Sequence, residues 1–285
     1  MTKEKVTIQM QFGTIASGSS GNCLYAGDKD THILIDAGIS AKRICAGLDT
    51  YGVKPQDLDA IIVTHEHIDH TSGLGVMLRK YHIPVYSTRG TIWGIKATKS
   101  LGAMPDECFH EIRPENDFQI GDLHVEPFRI SHDAYEPVSY VLNNDQAQIG
   151  MVTDLGFYDD HIVDHLKNSD LLYVEANHDI NMLQVGPYPY YLKQRILGNK
   201  GHLCNEKAGE LIKSLMHDDL QKVILGHLSK ENNYPELALE TVRLEMGLSG
   251  TIQMSLFESD HSEEGLSAED VVVAPRDTVS GLITL

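Results

Sequence analysis

Short apolar runs punctuated by glycine, serine and asparagine fill the first part of the chain, the pattern of strands joined by turns. Val6 to Ile15, Cys23 to Ala26 and His32 to Ile35 have strand length and composition, with Gly-Ser-Ser-Gly-Asn and Gly-Asp-Lys-Asp turns between them. From Ser40 to Leu48 apolar positions recur at spacings of three and four, which predicts a helix. Asp59-Ala-Ile-Ile-Val63 reads as a short buried strand that runs straight into a histidine-rich segment. A further helix is predicted from Ser72 to Tyr81, ended by Pro84.

The second part repeats the theme. Leu123 to Ile130, Ser139 to Leu142, Ala147 to Val152, Leu171 to Val174 and Val223 to Leu225 read as strands. Asp159 to Lys167, Cys204 to Met216 (with Asn205 as its cap) and Glu236 to Glu245 read as helices. No Pro/Gly-rich linker divides the halves. Residues 1–285 are therefore read as a single domain of α/β (α+β) class, sheets packed together and covered by helices. The acidic stretch Glu258 to Asp270 reads as a solvated loop, and Val271 to Leu285 as one added edge strand.

Composition narrows the classes. With 41% apolar and 22% charged residues, 285 positions suffice for a large core and argue against disorder. No run approaches the roughly 20 apolar residues that span a bilayer, and Met1-Thr-Lys-Glu-Lys-Val lacks the apolar core of a secretion signal. Four scattered cysteines without C-x-x-C spacing point to reduced thiols and a cytoplasmic location. A net charge of −18 speaks against a protein that coats nucleic acid with its whole surface, though not against one with a local basic groove. The unusual feature is 15 histidines.

Four of the candidate ligands sit within Thr64-His-Glu-His-Ile-Asp-His70. Positions 65, 67, 69 and 70 share no helical face, so the segment is read as a loop leaving a strand end, where side chains can converge. Imidazole with carboxylate suits zinc, manganese or iron. One tetrahedral ion would not use all four groups, whereas two ions would. His132, Asp154 (in Thr-Asp-Leu-Gly) and His227 (in Gly-His-Leu-Ser) each follow a predicted strand, where open sheets gather their sites. Singly, each is an ordinary turn residue. Together the seven suffice for two divalent ions, zinc first, with manganese or iron as alternatives.

This ordered set resembles the signature of the metallo-β-lactamase superfamily: H-x-H-x-D-H, then a later His, a later Asp and a final His. The resemblance implies a four-layer αβ/βα sandwich. It also implies that His65, His67 and His132 hold one metal, Asp69, His70 and His227 the other, and that Asp154 bridges them. Asp36, in Leu-Ile-Asp-Ala-Gly, matches the first motif of the superfamily and would support the ligand loop. Longer motifs resemble the bacterial YycJ/WalJ group: Ala16-Ser-Gly-Ser-Ser-Gly-Asn22, Ser131-His-Asp-Ala-Tyr-Glu-Pro137, Glu175-Ala-Asn-His-Asp179, Gly201-His-Leu-Cys-Asn205 and Gly226-His-Leu-Ser229. With Asn232-Asn233 these span residues 16 to 233, and Cys204 stands where that group usually carries Ser. What the group implies is 5′-to-3′ exonuclease activity on DNA.

Between Ile180 and Asn205 the chain carries Lys193, Arg195 and Lys200 and no acidic side chain, interleaved with Tyr188, Tyr190 and Tyr191. Cations for phosphates beside aromatics for bases would make a single-strand platform. The alternative is an amphipathic helix with packed tyrosines and solvated lysines. The Ser17-Gly-Ser-Ser-Gly-Asn22 loop, through Ser19, Ser20 and Asn22, could offer backbone N–H groups to a phosphate. His178 and His202 remain as candidates for a phosphate contact or a general acid, with His202 favoured because Gly201-His-Leu echoes Gly226-His-Leu. The interval from Asp154 to His227 is too short for a large clamping domain.

The expected chemistry is hydrolysis of a phosphodiester by a metal-activated water, with Asp69 and Asp154 at its centre. Two other classes share the ligand set. One is a small-molecule hydrolase for a small or cyclic phosphodiester, a lactone or a thioester. The other is a metal-binding regulatory protein without turnover. A redox di-iron protein is a weaker third, since its relatives usually carry Glu at the position of His67 and no flavin domain follows.

Overall fold

Two seven-stranded sheets lie face to face in the computed structural model, which describes residues 9–248 and 266–285. The start of the first predicted strand (residues 6–8) and residues 258–265 of the predicted acidic loop lie outside the described residues. The first sheet is built from β1 (Gln11–Ala16), β2 (Cys23–Gly27), β3 (His32–Ile35), β4 (Ala60–Ile62), β5 (Val85–Thr88) and β6 (Phe109–Ile112). The second follows with β7 (Phe118–Ile120), β8 (Leu123–Arg129), β9 (Val138–Asn143), β10 (Gln148–Val152), β11 (Leu171–Glu175) and β12 (Lys222–Gly226).

The tail does not add one edge strand, as expected, but two. β13 (Val271–Val273) extends the second sheet beside β12, and β14 (Ile283–Thr284) extends the first beside β1. The segment between them crosses from sheet to sheet, held by Arg276 on the Leu228 carbonyl and by Ser280, whose Oγ accepts the Thr14 N–H.

Most of the helices cover the outer faces. α1 (Ala41–Thr50), α2 (Ile68–Thr71), α3 (Leu74–Tyr81) and α4 (Arg89–Ala97) belong to the first half. α5 (Asp160–Leu166), α6 (Ile180–Val185), α7 (Tyr190–Leu197), α8 (Asn205–Ser214) and α9 (Pro235–Met246) belong to the second. Side chains alternate across each strand, so neighbours in sequence enter different layers. Ile62 and Ile33 face the interior between the sheets with Tyr140, Met151 and Tyr173, while Ile61 and Leu34 face Ile44, Leu74 and Leu78 of α1 and α3. Likewise Ile224 turns inward, and Leu225 turns out to Leu211 of α8 and Val242 of α9. Both faces are covered, which is why these strands read as unbroken apolar runs.

Three local readings need correction. Asp69 and His70 are not in a loop: they sit on α2, a single helical turn, and only His65 to His67 precede it. Asn205 does not cap α8 but is its first residue, with Cys204 at the cap position. Its buried amide pairs instead with that of Asn233. The stretch 85–120, which carried no predicted element, holds β5, α4, β6 and β7. Gly90 and Gly94 weaken the helical signal of α4, yet a Cβ on either would collide with Glu136 or Glu66.

β3 to β6 run parallel, as do β10 to β13, so several strands deliver their C-terminal ends to one edge. Across the sheets, the Tyr140 hydroxyl donates to the Val63 carbonyl at 2.9 Å, just before the histidine segment. Ser87 Oγ donates to the same carbonyl. Tyr140→Phe should therefore lower stability by only about 1 kcal/mol, whereas Tyr140→Ala should cost about 3–5 kcal/mol through the cavity it leaves. Urea unfolding of the two variants beside the parent measures both.

Candidate metal centre

Asp36 organises the first half of the site. It follows β3 in a left-handed conformation (φ 61°), a region that Asp tolerates better than most residues. Its carboxylate accepts the Thr64 N–H at 2.9 Å, the Thr64 hydroxyl at 2.9 Å and His70 Nδ1–H at 2.7 Å. With its proton committed to Asp36, the Thr64 hydroxyl accepts from His65 Nδ1 at 3.0 Å. Both imidazoles are thus anchored through Nδ1, and each leaves Nε2 for the site. The α2 turn is fixed by main-chain bonds from Asn22 N–H to the Asp69 carbonyl and from Ala37 N–H to the His70 carbonyl, both 2.8 Å.

The second sheet supplies the other half. His132 lies beyond β8 and donates Nδ1–H to the Gly201 carbonyl at 3.2 Å. Asp154 follows β10 and His227 follows β12, both left-handed (φ 57° and 54°). Three of the five such non-glycine residues among those described are therefore Asp36, Asp154 and His227, in keeping with backbone strain gathered at a functional site. Between them stands Glu175, which the sequence reading did not single out. Its buried carboxylate accepts the N–H groups of Asp154 (3.1 Å), Leu155 (2.8 Å) and Leu203 (2.9 Å), and Nδ1–H of His202 (3.2 Å) and His227 (3.1 Å). The signal was available: a charge ending the buried run Leu171-Leu-Tyr-Val-Glu175 requires several donors.

The seven predicted ligands meet in one cluster. One donor atom from each of His65, His67 and His132 lies within 4.8 Å of the others, and the same holds for Asp69, His70 and His227 and for His65, His70 and Asp154. A fourth grouping joins Asp154, Glu175, His202 and His227. In that grouping the Glu175 oxygens are already taken by five donors, so its task is anchoring. His70 Nε2 faces Asp154 at 3.2 Å and Asp69 at 3.5 Å, and His227 Nε2 faces Asp69 at 3.5 Å. His65 Nε2 is buried and has no hydrogen-bond partner.

Electrostatics follow from this crowding. Burial alone would raise Asp154 and lower His70 and His227. The mutual attraction of these groups wins, so Asp154 is held well below the usual carboxylate range. His70 is drawn well above the usual imidazole range and His227 up to about 10. Burial first, and neighbouring imidazoles second, push His65 well down. Inward lone pairs, an unpartnered nitrogen and a field that favours positive charge all fit divalent cations bound by nitrogen and oxygen.

The remaining candidates divide. Ser19, Arg195 and His202 line the ≈ 230 Å³ cleft over the cluster, together with Tyr188. Arg195 is held by Asp133 through two nitrogens. Asn22 is buried: its side chain accepts the Gly18 N–H and approaches His70 Nε2 at 3.2 Å. The N–H groups of Gly18, Ser19, Gly21 and Asn22 are all bonded within the protein, so the loop is not a ready phosphate cradle. Ser20 is exposed and outside the cleft lining. Lys193 is turned away too, its ammonium on the carbonyls of Gln184 and Gly186 at the end of α6. Tyr190 and Tyr191 are not packed but exposed on α7. His178 is buried, and burial with the nearby His202 lowers it to about 4. It lines a neighbouring ≈ 520 Å³ cavity that shares His202 with the cleft.

A family described as the Beta-lactamase superfamily domain matches residues 31–228. The chain is also 40% identical to exodeoxyribonuclease WalJ of Streptococcus pneumoniae, over 82% of this chain and 87% of that one. The chain belongs to the beta-lactamase superfamily and, within it, to the WalJ/YycJ group. Exodeoxyribonuclease YycJ of Bacillus anthracis is 38% identical over 82% of this chain and 88% of its own. The metallo-beta-lactamase fold protein YhfI of Bacillus subtilis has a similar structure. That structure has a TM-score of 0.69 at 16% identity and covers 98% of this chain and 100% of its own. No helix among the described residues is long and apolar enough to cross a membrane.

For this superfamily member, close backbone packing behind the ligands is testable. A Cβ on Gly38 would lie 1.6 Å from the Asp69 carbonyl oxygen, with no flexible side chain to yield. Gly38→Ala should cost about 3 kcal/mol and displace α2, read as a lowered urea midpoint and a weaker metal affinity by calorimetric titration.

Proposed function

We propose that this protein is a metal-dependent DNA exonuclease that shortens DNA from the 5′ end, water attacking a phosphodiester in the cleft over the ligand cluster. Seven ligand-type side chains converging beneath that cleft, in a chain 40% identical to an exodeoxyribonuclease, carry this reading. His65, His67 and His132 would hold one divalent ion, Asp69, His70 and His227 a second, and Asp154 both. Ions held there supply Lewis acidity to a phosphate oxygen and acidify the attacking water. The imidazole-rich set suits zinc, and its carboxylates also accommodate manganese or iron.

The protein's own groups divide the remaining work. Arg195, steadied by Asp133 at the cleft wall, is the cation placed to receive a phosphate. Glu175 anchors His202 through Nδ1, so Nε2 is the nitrogen left to deliver a proton to the leaving oxygen. His178 is unsuited to that step, being buried and absent from the cleft lining. Tyr188 in the cleft, with Tyr190 and Tyr191 exposed on the adjoining helix, offers faces on which unpaired bases can stack.

The test is digestion of a 3′-labelled oligonucleotide, its 5′ end phosphorylated or not, by protein loaded with zinc or manganese. Asp154→Asn should lower the rate by more than about 100-fold, the scale that loss of a ligand's outer partner alone can reach. Turnover of small phosphodiesters, lactones or thioesters with every DNA left intact would replace the nuclease by a small-molecule hydrolase. Metal binding without any hydrolysis would make it a regulatory protein. Separately, His202→Ala should lower kcat by about 100-fold while leaving metal content and KM near the parent values.

A further inference from the structure

A second group of metal-binding side chains lies on the outer side of the second sheet, built from residues that the candidate centre does not use. We propose that Glu115, His161 and His165 form an additional site for a zinc-class divalent ion. His161 and His165 are four residues apart on α5 and so share one face of the helix, a spacing that lets two imidazoles converge on a single ion. Their rings lie 4.6 Å apart and nearly perpendicular. Both turn Nε2 to the same carboxylate, His161 at 3.6 Å from Glu115 Oε1 and His165 at 3.1 Å from Oε2. One donor atom from each of the three residues lies within 4.8 Å of the others.

The surrounding groups set these ligands in place. His165 stacks on Phe128, with centroids 4.8 Å apart and planes 11° from parallel, and its Nδ1 bonds the Glu126 carboxylate. A carboxylate on Nδ1 fixes the tautomer that points the Nε2 lone pair at a metal, the arrangement of carboxylate, histidine and zinc. Glu115 is one of the five left-handed non-glycine residues among those described, and its N–H donates to the Pro127 carbonyl at 2.7 Å. Its Oε1 accepts the Arg129 N–H at 3.0 Å, so the main chain positions this carboxylate. The Arg129 guanidinium is 3.9 Å away on an exposed side chain, too weak a pair to displace an ion. Two imidazoles and one carboxylate with open positions favour zinc, cobalt or nickel over calcium or magnesium, which seek more oxygen donors. An ion there would staple α5, the helix after the Asp154 turn, to the chain leading into β7 and to the end of β8.

Zinc content per chain, measured after equilibrium dialysis of the whole protein, tests this directly. Free zinc is buffered at ~100 μM, enough to fill about nine-tenths of a ~10 μM site. The parent should retain about one more zinc per chain than His161→Ala/His165→Ala, and DNA degradation should stay within about twofold, because neither histidine touches the cleft. Glu115→Gln serves as a milder variant, since its amide oxygen still accepts the Arg129 N–H; it should weaken zinc retention without unfolding the chain. Equal zinc in the parent and in both variants, each folded by circular dichroism, would overturn the proposal and leave these residues as ion pairs.

Discussion

A single carboxylate, buried at the end of a central strand, holds the second half of the site together. Moving an ionised carboxyl out of water costs several kcal/mol unless donors replace the lost hydration. Glu175 has five such donors: three backbone N–H groups and two imidazoles. Burial pushes its pKa up, but His202 and His227 outweigh that and bring it down to about 2, so it stays ionised. Those donors come from the turn after β10, the turn after β12 and the segment entering α8. One charge thereby fixes the relative positions of Asp154, His227 and His202.

The first half uses the same device. Asp36, beyond β3, takes two donors from Thr64 and one from His70, and so sets the ligand turn that begins at His65. In each half a carboxylate at a strand end grips backbone N–H from the neighbouring turn and Nδ1 of an imidazole. The remaining nitrogen then faces the interior of the site. Left-handed backbone at Asp36, Asp154 and His227 is the local strain this geometry stores, stabilised by the hydrogen bonds around it. The candidate ligands are thus set by their second partners as much as by their own positions in the chain.

Much of this geometry was legible in the sequence because the candidate ligands are dense and follow strands. His132, Asp154 and His227 were readable as strand-end residues from the apolar runs before them, and Asp36 from its motif. What stayed hidden depended on tertiary context. Glu175 looks like the polar end of a strand until the five donors are seen. Lys193 looks like a phosphate cation until its ammonium is found on two helix-end carbonyls. Asn205 has the composition of a cap, yet tertiary pairing with Asn233 draws its amide inward. Gly90 and Gly94 conceal α4 because local propensity cannot register the loops that press against that helix.

Charge orders the events that the proposed function requires. Asp36, Asp69, Asp154 and Glu175 set four carboxylates around His70 and His227, and the chain as a whole carries −18. A phosphodiester would add another negative group to that cluster and be repelled. Two divalent ions would balance the four carboxylates and remove that repulsion. The same field that draws His70 and His227 upward favours those ions, and protons on these rings must leave as the ions enter. On this reading, metal loading comes before substrate. With the ions in place the cleft over the cluster, with Arg195 in its wall, is no longer negative, and that is how an acidic chain can engage DNA at one point without binding it everywhere.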